Sequence, residues 1–476
     1  MPRTHRRVVW WACVAAVAGT IALIGAVPPY AIGDETAHLD YAYQLWHGRL
    51  PEFMAGLALD PGQGVVPPVQ WVSQHPPLTY LLLAPVVGPL VDAGHPLQAA
   101  FAGRAVMAVL AVALVPASAW AARWLTDRWG RVALLVPVLV AANTWVLRLG
   151  AAVYNDVLLM LVVTLLFGMT ARWIRVGRGS AWTVAAWCLL VVAAAATRLS
   201  GVPLAMLCAG VVAVSLLIRR SRSPRDWLGG VVLPPVAALA ATGWFYLRNQ
   251  QLTGSIAGGH PDWAAENLGR VSTPLQAVAV DHGFWVFSFR LFAQAPAPWG
   301  DRLNLVLFLL PAAVGLVAGV WIALRRRPRL PELLILGTCV AALAGVLLQQ
   351  MMFVSGGGGA MARYLAVLIL PIVALVALGL TRVRPPLALG AVLLVWVGLR
   401  MVDLVLDVGR GLDRFAGAGL RNLPETVTWS AVAVHGVALV IAAVLVVAGA
   451  RRTDRAPGLD TRRGRRQEAV AAPVPG

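Results

Sequence analysis

The sequence predicts an all-α, polytopic integral membrane protein with about 12 transmembrane helices and further helices lying at the outer membrane surface. Three observations carry this. Hydrophobic residues fill 59% of the 476 positions and charged residues only 13%, a balance that a surface facing water on all sides does not accommodate. Apolar runs of spanning length recur from end to end, near 8–27, 101–122, 132–149, 157–173, 181–197, 202–218, 229–247, 303–324, 333–353, 364–381, 386–404 and 427–450; a helix crossing a bilayer needs roughly 20 such residues. Arginines collect in every second connection between these runs, as the positive-inside rule requires.

The first run, "VVWWACVAAVAGTIALIGAV", follows the basic stretch "MPRTHRR". Its apolar core exceeds the roughly 7–15 residues of a signal peptide and no clean small-x-small site follows, so it reads as a span that stays. The segment "PPLTYLLLAPVVGPLV" (76–91) is short and rich in Pro, and whether it crosses sets the orientation of everything after it. If it stays outside, and the N-terminus is cytoplasmic, the inner connections and termini hold 26 Arg and 6 acids against 13 Arg and 15 acids outside. Crossing at 76–91 would break the charge rule from there on, so the segment is expected to lie on or dip into the outer interface. Residues 28–100 then form one external segment and 249–301 a second, whose "DHGFWVFSFRLF" suits the headgroup region. Both termini are expected in the cytoplasm, the membrane to be the plasma membrane, and the basic tail 451–476 to be disordered. Residues 1–450 read as one transmembrane unit, with no soluble domain of any size and no internal repeat.

The net charge of +18 comes entirely from arginine, without a single Lys, and its placement in the inner loops gives no reason to expect a nucleic-acid partner. Cys13, Cys188, Cys208 and Cys339 all fall in apolar runs and imply neither a disulfide framework nor a zinc site.

With this topology the stretch "AIGDETAHLDYAYQLWHGRLP" places Asp34 and Glu35 at the outer surface just past the first span. Helix capping is one explanation, Asp34 as the N-cap and Glu35 favoured by the helix dipole. Chemistry is the other, because Asp34 and His38 are one turn apart on one face and could act as base and acid. "SQHPPLTY" adds His75 at the same level, and "AAVYNDVLLM" adds Asp156, which also has a capping explanation. Three outer arginines run against the charge rule. They are Arg198 in "AATRLSGV", Arg248 in "FYLRNQ" and Arg363 beside Tyr364 in "SGGGGAMARYL". Snorkelling explains Arg248 best, whereas Arg198 and Arg363 suit an anion near the acidic pair; the planar guanidinium stays charged and can grip phosphate oxygens in pairs. The four-Gly run before Arg363 could let backbone approach a ligand. Of the ionisable groups only His435 is expected deep within a span, in a hydrogen-bonded packing role.

"GDETAHLDYAYQLWHGRLP", "QHPPLTYLLLAP", "YNDVLLML", "ATRLSGV" and "ARYLAVLILP" occur in the order and topology of the GT-C class of polytopic glycosyltransferases. The chain resembles bacterial relatives of the protein O-mannosyltransferases and lipid A aminoarabinose transferases over most of residues 1–380. That resemblance implies transfer of a sugar, with inversion, from a polyprenyl-phosphate donor to a cell-envelope acceptor at the outer face. It implies Asp34 as catalytic base with Glu35 as its neighbour, Asp156 as the later acidic residue, and Arg198, where relatives commonly have Lys, on the carrier phosphate. His38, His75, Arg248, Arg363 and Tyr364 complete the expected substrate-binding set. Acceptor recognition would fall to the loops at 28–100, 249–301 and 405–426.

Asp34, Glu35, Asp156 and His75 or His38 are potential ligands for a divalent cation, but arginines can meet the phosphate's charge without one, so no metal site is assigned. The rival function is a transporter or flippase of a lipid-linked or anionic solute. Transporters place ionisable groups near the bilayer midplane, and the expected spans are nearly free of buried charge.

Overall fold

The computed structural model describes residues 1–126, 128–293, 299–325, 330–383 and 385–454. The tail from 455 onward and residues 326–329 of the arginine-rich connection at 325–332 lie outside the described residues, and with the tail the expectation that it is disordered. Every regular element among the described residues is helical. In chain order α1 (Arg3–Ala26), α2 (Gly33–Trp46) and α3 (Leu78–Asp92) are followed by α4 (Pro96–Thr126), α5 (Arg131–Ala141), α6 (Thr144–Gly150) and α7 (Asp156–Val176). Next come α8 (Ala181–Thr197), α9 (Gly201–Ile218), α10 (Pro224–Trp227) and α11 (Leu233–Thr253). The short α12 (Pro261–Leu268), α13 (Leu275–Val280), α14 (His282–Ser288) and α15 (Gly300–Asn304) lead into α16 (Leu310–Arg325) and α17 (Leu330–Ser355). The chain closes with α18 (Ala362–Leu365), α19 (Ile369–Leu380), α20 (Pro386–Phe415) and α21 (Glu425–Asp454).

Among the described residues ten helices are long and apolar enough to cross a membrane, or 11 if the bent pair α5–α6 counts as one span. The remaining expected run, 181–197, is α8, a helix of 17 residues, short of the usual spanning length. The helices carry exposed large apolar side chains such as Val109, Leu189, Leu239, Val317, Val395 and Val437. Apolar surface on this scale needs a lipid solvent, and the chain is a multi-pass membrane protein. Between helices the contacts are close where glycine permits. A Cβ at Gly315 would stand 2.0 Å from the Leu375 carbonyl oxygen, and one at Gly379 2.0 Å from that of Pro311; α16 and α19 thus pack backbone against backbone. His435 has the packing role expected of it, its Nδ1 2.7 Å from the Ala15 carbonyl oxygen across the α1–α21 contact.

The expectation of nearly charge-free spans is wrong. Arg400 and Asp403 on α20 are fully buried, and Asp407 nearly so. The reason is the 52° bend between α5 and α6, which leaves carbonyls without helical partners. Arg400 Nε donates to the Ala142 carbonyl at 2.9 Å, and its guanidinium also reaches Thr144 and Asp403. Thr144 in turn donates to Asp403 at 2.9 Å, Arg148 pairs with Asp407, and Asn143 caps α6 by accepting from the Val146 amide at 3.1 Å. Buried charge here closes a broken helix.

Helix α3 packs against both α2 and α4. Helix α3 has 15 residues with Pro85 and Pro89 inside it, roughly 22 Å at about 1.5 Å per residue and too short to cross. The connection from α2 to α3 is held by Asp40. Its carboxylate accepts from the Ala58 and Leu59 amides at 2.7 and 2.9 Å, and from the Gln44 and Gln70 side-chain amides. The second Asp of the stretch at 31–51 is thus a loop anchor.

Candidate functional site

The site begins where α1 stops. Pro28 and Pro29 offer no amide to extend the helix, Tyr30 turns the chain at φ 63°, and α2 starts three residues later. Its N-cap is Ile32, without a side-chain cap, so Asp34 is not the cap that one reading expected. Asp34 sits in the first turn and its Oδ2 accepts from Arg363 NH1 at 3.3 Å. Its side chain is 35% exposed, and Oδ1 has no protein partner among the described residues.

Glu35 corrects the sequence reading. Expected as the second member of a catalytic pair, it is turned into the protein and fully buried. Arg104 grips it with Nε to Oε1 at 2.7 Å and NH2 to Oε2 at 2.6 Å. The Tyr30 and Val153 amides also donate to its carboxylate, at 3.3 and 3.2 Å. Arg104 also donates to the Ile24, Val27 and Pro28 carbonyls at the end of α1. This buried pair ties α1, α2, α4 and the strand of chain before α7 together under Asp34. Its geometry gives Glu35 a positioning role.

Asp156 and Arg198 meet in the same way. Asn155 precedes α7 without capping it, and its side-chain amide donates to the Thr197 carbonyl at 3.4 Å, which draws the start of α7 to the end of α8. The chain leaves α8 extended at Arg198, and the guanidinium swings onto Asp156 as an ion pair. Gly201 makes the tight entry to α9, since a Cβ there would lie 2.1 Å from the Ala194 carbonyl oxygen.

Tyr364 joins the two pairs. Arg198 and Arg363 stand over its ring at 5.3 and 5.2 Å, and Arg363 NH2 donates to its hydroxyl at 3.3 Å. Asp34, Arg363, Tyr364, Arg198 and Asp156 thus form one connected row, drawn from four separate parts of the chain. A cavity opens beside it, lined by Asp156, Arg198 and Tyr364 among others. Asp34 and Arg363 adjoin it through Tyr364.

His38 and His75 stack with ring centroids 6.2 Å apart. His38 Nδ1 is 2.9 Å from the Tyr80 hydroxyl, and Tyr154 touches both His38 and Arg363. Burial first, then the positive charges of Arg363 and Arg198, push the His38 pKa down to about 3. The same causes hold His75 well below the usual imidazole range. Both rings are neutral at pH 7, so they can share hydrogen bonds but carry no charge.

Two other expectations change. Arg248 is engaged elsewhere, donating to the Pro51 carbonyl at 3.0 Å and holding the α2–α3 connection. The four-Gly run receives chain in place of ligand. A Cβ on Gly357 would meet Arg270 Cβ at 2.9 Å, and Thr273 and Ser355 exchange hydrogen bonds of 2.8 and 2.6 Å beside it. Among the described residues no three His, Cys, Asp or Glu side chains gather as a metal site. Arg104 escaped the sequence reading, although the signal that marked Arg198, a lone arginine in apolar sequence, was present.

No family model matches the chain, and no curated sequence matches it. Among solved structures it resembles ArnT from Cupriavidus metallidurans bound to undecaprenyl phosphate, with a TM-score of 0.50 and 16% identity over 93% of this chain and 76% of that one. It resembles the same protein in the apo state with a TM-score of 0.51 and 15% identity, over 92% and 76%. What an identity this low establishes is a shared architecture, and the chain has the polytopic helical fold of the GT-C class.

Proposed function

We propose that the chain is a glycosyltransferase that moves a sugar, with inversion, from a polyprenyl-phosphate donor to an acceptor hydroxyl at the outer face of the plasma membrane. The observation that carries this reading is the connected row Asp34–Arg363–Tyr364–Arg198–Asp156. In the proposed step the free Oδ1 of Asp34 takes the proton of the acceptor hydroxyl while its oxygen attacks the sugar's anomeric carbon. The bond from that carbon to the carrier phosphate breaks, and its electron pair goes to the phosphate oxygen. Arg198 and Arg363 meet the growing negative charge there, which favours the transition state over the ground state. Both retain donors for that purpose. Arg198 makes a single side-chain bond, to Asp156, and Arg363 Nε has no partner. The ArnT structure of similar fold holds undecaprenyl phosphate, the class of carrier this reading requires. The outer location rests on the arginine distribution.

The test is sugar transfer by purified, lipid-reconstituted protein from a panel of polyprenyl-phosphate sugars, with and without chelator. A positioned base contributes about 10²- to 10⁴-fold, so Asp34→Asn should lower kcat by that factor with unchanged thermal unfolding. Equal transfer by Asp34→Asn would remove Asp34 from the chemistry. Movement of the donor across the bilayer without transfer would establish the flippase instead, and loss of transfer on chelation would show a metal requirement.

A further inference from the structure

The cavity beside the row contains polar groups that the proposed chemistry leaves unused. Gln350, on α17, is 3% exposed. Its Nε2 donates to the Met361 carbonyl at 2.9 Å, and its Oε1 is buried without a partner. That bond fixes the amide, because turning it over would set two acceptors against each other. The unpartnered atom is therefore an acceptor, and it costs stability unless a donor reaches it. Gln349 and Ser200 line the same cavity, and neither side chain has a protein hydrogen bond among the described residues. The cavity's one cation, Arg198, is neutralised by Asp156, its one carboxylate. Apart from the remaining Arg198 donors, which the proposed chemistry commits to the carrier phosphate, the groups left are uncharged: two amides and a hydroxyl.

We propose that this cavity is the subsite for the donor's sugar, and that Gln350, Gln349 and Ser200 select a neutral, hydroxylated sugar over a cationic amino sugar. The proposal rests on the glycosyltransferase reading. A sugar hydroxyl donates to Gln350 Oε1, while Gln349 and Ser200 give and accept at neighbouring hydroxyls. An ammonium group would find no carboxylate in the cavity that is not already held by an arginine. Sites built to hydrogen-bond a hydroxyl discriminate strongly, because the wrong ligand leaves their buried groups unpaired.

The experiment measures binding to the full-length protein in lipid nanodiscs of three probes. These are bare undecaprenyl phosphate, the same carrier bearing neutral hexoses or pentoses, and the carrier bearing a 4-amino-4-deoxypentose. The wild type should bind at least one neutral-sugar carrier more tightly than the bare carrier, and the amino-sugar carrier no more tightly than the bare one. Gln350→Leu should weaken neutral-sugar binding about tenfold and leave bare-carrier affinity in place. Gln349→Leu, which breaks no internal bond, should do the same if Gln350→Leu disturbs the turn at Met361. Tightest binding of the amino-sugar carrier, equal binding of all carriers by the wild type, or an equal loss on bare and sugar-bearing carriers would overturn the proposal. If the wild type does not bind even bare undecaprenyl phosphate, the glycosyltransferase reading itself fails and the subsite falls with it.

Discussion

Asp34 and Glu35 are neighbours in sequence and opposites in circumstance. One is partly open and shares a single arginine contact; the other is buried with Arg104 and two backbone amides. Removing one partner of a buried pair leaves the other charge unsolvated, typically at a cost of about 3–5 kcal/mol. Arg104→Leu should therefore destabilise the protein by about that much, and thermal unfolding in nanodiscs checks it. The two histidines give the protein an acid sensitivity. The His38 pKa falls from an ordinary 6.5 to about 3, so between these values the unfolded chain binds a proton that the folded chain does not. Stability should fall as pH drops below about 6.5, and His38→Asn should make that decline shallower in melting curves taken between pH 7.5 and pH 5.

The break between α5 and α6 shows how an element can reverse a reading of function. Ionisable groups inside a span ordinarily mark a transport path, and Arg400 with Asp403 would qualify on position alone. Their bonds run to Ala142, Thr144 and each other, which is what a helix interrupted in lipid needs. Arg400→Leu should cost about 3–5 kcal/mol by removing the buried cation that faces Asp403, with the loss seen in thermal unfolding. Loss of transfer without loss of stability in that variant would give the cluster a functional part. The paired glycines at 315 and 379 and the Asp40 anchor act on the same level, fixing which helices touch and where the α2–α3 connection lies.

Orientation belongs to the entire chain, because one misplaced crossing reverses every later loop. If α3 stays at the outer surface, a cysteine replacing the exposed Asp60 in a background without the four native cysteines should react with a membrane-impermeant maleimide in intact cells. One replacing Arg222, between α9 and α10, should react only after the membrane is opened. The reverse pattern would place the Asp34 site on the cytoplasmic side. The fold itself was legible because apolar run length and arginine alternation are properties of composition along the chain. The number of spans was less so, since the break at Ala142 and the short α8 blur any rule based on length.

The sequence by itself determined the all-helical membrane class and the place of each apolar run, and it offered Asp34, Asp156, Arg198, Arg363 and Tyr364 as candidates together with Glu35, His38, His75 and Arg248. Lipid selects strongly for apolar length, and a charge that interrupts apolar sequence is conspicuous. Only the tertiary structure decided which charges are free to act. Glu35 and Arg104 lie 69 positions apart, Asp34 and Arg363 329, and no local pattern records such pairings. Whether a carboxylate caps, anchors, locks or faces a cavity depends on what folds against it. That separates Asp40 and Glu35, held inside by amides and an arginine, from Asp34, which keeps one oxygen open.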